Sequence, residues 1–266
     1  MIGSKLLLRN IKLTLEYDGT EFNGWQAQAK GPRTVQGEIE KALKKIFPPS
    51  AGVADKSRIK LYGSGRTDAG VHALGQVTNF KITSSMPVAV IQKALNGNLP
   101  EDISVVKVEE VSPNFHSQYS ATRKIYRYTI LNRSSRRSYG RQFCLHFPYK
   151  LNLTLMRQEA KSLTGRKDFR SFGSLDKGQG RDNTIRHVTK IDIKKRGDVI
   201  TIDIEANGFL YKMVRNIVGT LLDVSTGRLP EGSIKKILAQ KNRKFASPPA
   251  EAQGLCLWKV TYKGEE

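Results

Sequence analysis

The period of the apolar residues switches along this chain, and that switching most limits what it can fold into. Ile11-Lys12-Leu13-Thr14-Leu15-Glu16-Tyr17 alternates apolar and polar, the pattern of a half-buried strand, and Asp18-Gly19-Thr20 turns the chain after it. Val35, Ile39, Ala42, Leu43 and Ile46 then recur at helical spacing, with Thr34 placed as N-cap and Pro48-Pro49 as a stop. Strands are expected over Arg58–Tyr62 and Gln76–Thr83, a second helix over Val88–Leu95 closing at Gly97, and a strand over Ile103–Val111. This β-α-β-β-α-β order is the split βαβ arrangement.

A second half begins near Ser112-Pro113. Ile125–Leu131 reads as a strand, Asn132–Arg141 as a basic loop and Leu153–Leu163 as a helix stopping at Gly165. Gly173–Asp182, rich in glycine and charge, reads as a mobile loop. Isoleucines 191, 193, 200, 202 and 204 flank Arg196-Gly197-Asp198 as a hairpin. Helices are expected over Phe209–Leu222 and Ile234–Leu238, and a last strand over Cys256–Tyr262. The fold class is therefore α+β: two α/β halves, residues 1–112 and 113–266, sharing a mixed, mainly antiparallel sheet with helices on one face.

Charge narrows the ligand. The net charge is +21, which favours a polyanion such as nucleic acid. Residues 1–112 carry 15 basic and 11 acidic side chains, and residues 113–266 carry 30 and 13, so the second half is the expected main contact. Cys144 and Cys256 are isolated thiols with no zinc-ligand spacing, which suits a reducing compartment. Met1–Arg9 is too short in apolar length for a signal peptide, and no apolar run approaches the ~18 residues of a spanning helix. A soluble, cytoplasmic, RNA- or DNA-associated protein without membrane attachment is expected.

The chemistry is expected in Gly63-Ser64-Gly65-Arg66-Thr67-Asp68-Ala69-Gly70-Val71-His72-Ala73, where four polar side chains sit among glycines and small residues. Two readings fit: a structural turn in which Asp68 bonds nearby backbone, or a carboxylate on display. An aspartate is an anion at neutral pH, with an ordinary pKa of about 3.9, and is competent as nucleophile or base. Arg66 or Arg215 would keep it ionised. Wound at about 100° per residue, Phe209–Leu222 puts Phe209, Leu210, Met213, Val214, Ile217, Val218 and Leu221 on one face. Arg215 falls opposite, beside Lys212 and Gly219, and so points to solvent or into a cleft. Tyr126 and Tyr128 alternate with Arg127, as stacking rings for bases or as core; Phe22 and Trp25 carry the same two readings. Arg123, Lys124, Arg127, Arg133, Arg136, Arg137 and Arg141 form a run without acids, suited to phosphates. There is no P-loop, dinucleotide fingerprint, HExxH, GxSxG or paired-cysteine motif, and His72, His116, His146 and His187 are scattered. The chemistry is expected to need neither metal nor cofactor.

Several of these stretches together resemble the tRNA pseudouridine synthase A family. They are Tyr17–Thr20, Phe22-Asn23-Gly24-Trp25-Gln26-Ala27-Gln28, Thr34–Gly37, Gly63–Val77, Ala94-Leu95-Asn96 with Leu99-Pro100, and Ser120–Tyr128. Asp168-Phe169, Phe209–Gly219 and Gly254–Leu257 complete the set. The resemblance implies two α+β halves around a central RNA-binding cleft. It implies Asp68 as the catalytic aspartate, Tyr126 stacking on the target base and taking the C5 proton, and Arg215 as the cation paired with Asp68. Leu255 would wall the uracil pocket, and Arg66 would flip or hold the nucleotide. It also implies tRNA as substrate, modified at positions 38 to 40 of the anticodon arm, a homodimer, and no cofactor.

Overall fold

The computed structural model describes residues 7–28, 31–48, 59–174 and 183–264. The chain divides into two compact units, Met1–Thr122 with Lys259–Glu266, and Arg123–Trp258. The division falls later than residue 112, and the last eight residues return to the first unit. Ten strands, mostly antiparallel, and five helices are present among the described residues, an α+β protein as expected.

In the first unit the elements run β1 (Leu8–Tyr17), α1 (Val35–Ile46), β2 (Tyr62–Gly63), β3 (His72–Thr83), α2 (Val88–Asn96) and β4 (Ile103–Val111), the expected order. The strands lie in the order β4-β1-β3-β10, where β10 is Leu255–Tyr262. β1 pairs antiparallel with both β3 and β4. The α1 boundary was legible because Thr34 accepts from the Gly37 N–H through its side chain, taking one of the donors a helix start leaves open. The strand expected over Arg58–Tyr62 is instead β2, two residues long; Arg58 lies outside the described residues. β3 starts four residues earlier than expected, at His72. β1 is buried on both faces over Asn10–Leu13, not half-buried. Lys12 achieves this by lying over the Phe115 and Tyr262 rings, 5.7 and 4.9 Å from their centroids, with Glu109 3.5 Å away.

The second unit contains β5 (Ala121–Leu131) from Arg123 onward, β6 (Leu145–His146), α3 (Leu153–Lys161), β7 (Gly165–Asp168), β8 (Ile185–Arg196), β9 (Val199–Ala206), α4 (Met213–Ser225) and α5 (Ser233–Gln240). β5-β9-β8-β7 are antiparallel neighbours, and β6 lies parallel to β5. The β8–β9 hairpin turns at Gly197-Asp198, with Gly197 at φ +57°. β6 and β7 were not anticipated; runs of two and four residues are too short to show a period. Residues 175–182 of the glycine-rich loop lie outside the described residues.

Two expectations about α4 are corrected. Lys212 has a left-handed backbone (φ 58°), so the helix starts at Met213 and not at Phe209. The side opposite the apolar stripe is covered as well: Asn216, Gly219 and Thr220 are buried. Residues 247–250 run across it. Ser247 N–H donates to Thr220 Oγ1, and a Cβ on Gly219 would stand 2.2 Å from the Pro248 carbonyl oxygen. A wheel sees only the apolar stripe, whereas this face is buried through hydrogen bonds and a missing side chain.

Candidate active site

The Asp68 loop is built between β2 and β3. Ser64 is fully buried; its Oγ–H donates to Gln76 Oε1 (2.6 Å), and Gln76 Nε2 donates to the Gly65 carbonyl (2.9 Å). Thr67 Oγ1 and Tyr17 Oη share a hydrogen bond of 2.8 Å. The segment after β1 grips the loop through its backbone. Trp25 N–H donates to Thr67 O (3.0 Å) and Gly70 N–H to Phe22 O (3.3 Å). Val71 N–H donates to the Asp68 carbonyl (3.1 Å), and Gly70 at φ +76° lets the chain turn there. Asp68 is half-buried and Arg66 exposed.

Two glycines explain why the grip is so close. Gly24 has φ +85°, and a Cβ there would meet the Thr67 carbonyl oxygen at 2.6 Å. A Cβ on Gly63 would meet the Trp25 indole at 2.6 Å. Phe22 and Trp25 are buried, which settles their two readings in favour of core. His72 is buried too, and its Nδ1 accepts the Gly19 N–H (2.9 Å).

In the second unit, Tyr126 on β5 is 8% exposed and meets Phe209 edge-on, with ring centroids 5.0 Å apart. Tyr128 is fully buried and its Oη–H donates to the Glu251 carbonyl (2.8 Å). Burial, and then Glu251, raise its phenol above the usual range. Tyr128 is therefore core rather than a base platform. Arg215, half-buried on α4, is tied both ways to one residue: Ala250 N–H donates to the Arg215 carbonyl (3.0 Å), and Arg215 Nε donates to the Ala250 carbonyl (2.7 Å). The same segment continues through a turn at Ala252–Gly254 into β10, which Leu255, buried, opens. A Cβ on Gly254 would stand 2.6 Å from the Tyr128 ring. Residues 247–255 thus position Arg215 and Leu255 and cover Tyr128. Periodicity missed this segment because it has none; Pro248-Pro249 and Gly254 were its only local signals.

The basic run separates into different environments. Arg127 forms a two-pronged bond to Asp203 (2.7 and 2.8 Å) and lies 3.7 Å from the Trp258 ring centroid. Arg123 lies 3.8 Å from Glu205. Arg133 donates to the Ser135 carbonyl (2.9 Å) and lies 3.6 Å from Asp198. Arg136 and Arg141 are exposed and Arg137 is half-buried. Burial, and then the nearby Arg186 charge, lower Lys124 to about 8. No helix of the described residues is long and apolar enough to cross a membrane.

Comparison with known proteins bears on this architecture directly. A family model described as tRNA pseudouridine synthase matches residues 14–120 and 160–263. The tRNA pseudouridine synthase A of Thermoanaerobacter sp. (strain X514) is 44% identical over 255 residues, covering 96% of this chain and 100% of that protein. The protein of the same name from Geobacillus sp. (strain WCH70) is 42% identical over 254 residues, with coverage of 96% and 98%. That from Thermodesulfovibrio yellowstonii is 42% identical over 261 residues, with coverage of 95% and 99%. An RNA-modifying isomerase is the class these matches define. The chain belongs to the tRNA pseudouridine synthase family.

Proposed function

We propose that this enzyme converts uridine to pseudouridine in the anticodon arm of tRNA, at positions 38 to 40, with Asp68 as nucleophile. The observation that carries the reading is the Asp68 loop: an acidic side chain on a backbone gripped through Thr67, Asp68 and Gly70 and built over buried Ser64 and Thr67. Such preorganisation suits a group that must meet one carbon atom in one orientation. A base in a stem or loop is reached by turning it out of the stack. The Asp68 carboxylate attacks C1′ of the ribose, and the N1–C1′ bond breaks with its electron pair on N1. Uracil turns in the pocket and C5 bonds to C1′, displacing the carboxylate. Tyr126 assists removal of the C5 proton, and N1 ends protonated. The C5 proton leaves to solvent as N1 takes one up, so product and substrate are isomers and no oxidant or second substrate enters. In this reading Arg215 is the cation partner of Asp68, Leu255 an apolar wall for the base and Arg66 a hold on the turned-out nucleotide. Arg123, Lys124, Arg133, Arg136, Arg137 and Arg141 supply phosphate contacts. The enzyme works as a cytoplasmic homodimer.

The test is tritium release from tRNA labelled at uracil C5. Wild type is expected to release label from tRNA with uridine at positions 38 to 40. Asp68→Ala is expected to release none while still binding tRNA. Full turnover by that variant overturns the nucleophile, and release from tRNA lacking uridine at those positions overturns the site. Sedimentation of the wild-type protein as a monomer at working concentration overturns the dimer.

A further inference from the structure

The first unit carries a short column of rings that the proposed mechanism leaves unused. Tyr62 of β2 meets His116 with ring centroids 4.7 Å apart and planes tilted by 53°, and His116 meets Tyr119 at 4.4 Å and 34°. Lys60 Nζ lies 5.1 Å from the Tyr62 centroid at the inner end. Tyr119 at the outer end is 80% exposed.

The column is held from several sides. His116 Nδ1 accepts the Gln118 N–H (3.2 Å) and the Tyr119 N–H (3.4 Å), which sets the ring's orientation. His116 N–H donates to Ser120 Oγ (3.1 Å), and Ser120 N–H donates back to the His116 carbonyl (2.9 Å), closing the turn. Ser117 anchors that turn to the sheet: its N–H donates to Asn79 Oδ1 (2.9 Å) and its Oγ–H to the Tyr62 carbonyl (2.6 Å). Burial, with Lys60 adding to it, lowers the His116 imidazole below its usual range, which favours a neutral ring in the stack.

Isolated exposed rings are common on protein surfaces. This one differs in being the end of a supported row of rings in tilted contact, so a planar ligand meets a ring already ordered. Gln118, next to it in the chain, is exposed and polar. β2 runs straight into residues 64–68, so the column and the Asp68 loop grow from one strand.

We propose that Tyr119 is a stacking platform for an unpaired base of the RNA substrate, beside the nucleotide that is turned out for reaction. The inference rests on the tRNA reading above. It assigns the first unit a contact with bases, separate from phosphate contacts of the more basic second unit. Because every base has a π-face, the platform accepts any base at that place.

The experiment measures tRNA affinity at several salt concentrations for wild type, Tyr119→Ala, Tyr119→Phe and Tyr119→Leu, with tritium release by each in parallel. Tyr119→Ala is expected to weaken binding by about five- to hundred-fold, the usual range for one lost base stack. Tyr119→Phe is expected within about two-fold of wild type, and Tyr119→Leu well below Tyr119→Phe, because an aliphatic side chain has no π-face. The slope of log K against log salt is expected to stay unchanged, since no phosphate contact is removed. Wild-type affinity in Tyr119→Ala, or equal affinity in Tyr119→Leu and Tyr119→Phe, overturns the platform. Loss of a dimer in Tyr119→Ala, seen by sedimentation and matching the drop in affinity, also overturns it and gives the ring to a second copy. A wild-type protein that binds tRNA without releasing label overturns the functional reading instead.

Discussion

The Asp68 loop of the first unit and the 247–255 segment of the second solve the same problem with different materials. Each is irregular backbone carrying or placing a residue of the proposed site, and each has a glycine pressed against an aromatic ring: Gly63 under Trp25, Gly254 under Tyr128. The loop is held largely by small polar side chains, with Ser64, Thr67 and Gln76 turned inward. The segment is held by backbone pairs to a single charged residue, Arg215, and by the Tyr128 hydroxyl. The proposed nucleophile thus sits on a backbone held by its neighbours, whereas the arginine is itself part of the clamp. Replacing Arg215 is therefore expected to disturb both charge and local structure.

The largest expected effect that tests this contrast is Gly24→Ala. It combines a left-handed backbone with a 2.6 Å approach to the Thr67 carbonyl, and backbone on both sides leaves little room to yield. A stability loss of about 2–5 kcal/mol in urea denaturation is expected, with turnover falling further than tRNA affinity. Wild-type turnover would show that the loop is not a single rigid seat. Gly254→Ala is expected to cost about 1–3 kcal/mol, because the Tyr128 ring it meets is tethered to Glu251. In a Tyr128→Leu background that cost should shrink, and a double-mutant cycle reads the difference; strict additivity would place the clash elsewhere.

Tyr128→Phe alone removes one buried hydrogen bond and is expected to cost about 1 kcal/mol, measured by thermal or urea unfolding. Among the cations, Arg136→Ala and Arg141→Ala should each flatten the salt dependence of tRNA binding by about 0.7–0.9 in slope. Arg127→Ala should leave the slope alone and lower stability, because its guanidinium is bound to Asp203. The smallest effect expected is from pH. Lys124 titrates at about 8, below its usual range, so it is a cation at pH 7 and loses its charge as pH rises through 8. Its RNA contact should fade over that interval, and Lys124→Arg should abolish the change. The sign for stability is opposite: the unfolded chain keeps this proton up to about 10.4, so folding gains between pH 8 and that value.

Most of the regular structure was legible from the sequence because it rests on apolar periodicity and caps. Thr34 opened α1 where its side chain accepts a backbone proton, and the β8–β9 hairpin turned at a glycine. α4 was misread at its start and on its outer face, since neither the Lys212 backbone angle nor the covering 247–250 segment leaves a period. In the site, the polar string around Asp68 was visible as a cluster, but not the role of Gly63, whose missing side chain lets the Trp25 indole pack against it. Counting charges overstated the available cations, because pairing with Asp203, Glu205 and Asp198 depends on strand register rather than sequence distance.

β10 gives residues 255–258 to the second unit and 259–262 to the first. Thr122 Oγ1–H donates to the Thr261 carbonyl, and Tyr262 Oη–H to the Ser117 carbonyl. During translation, then, the first unit emerges early but lacks β10 until the whole second unit has left the ribosome. Lys12 waits that long for one of its two rings, and the β3 edge is covered meanwhile only where β2 pairs with it at Thr78 and Asn79. Synthesis rate and chaperone access over the second unit therefore bear on the yield of the first.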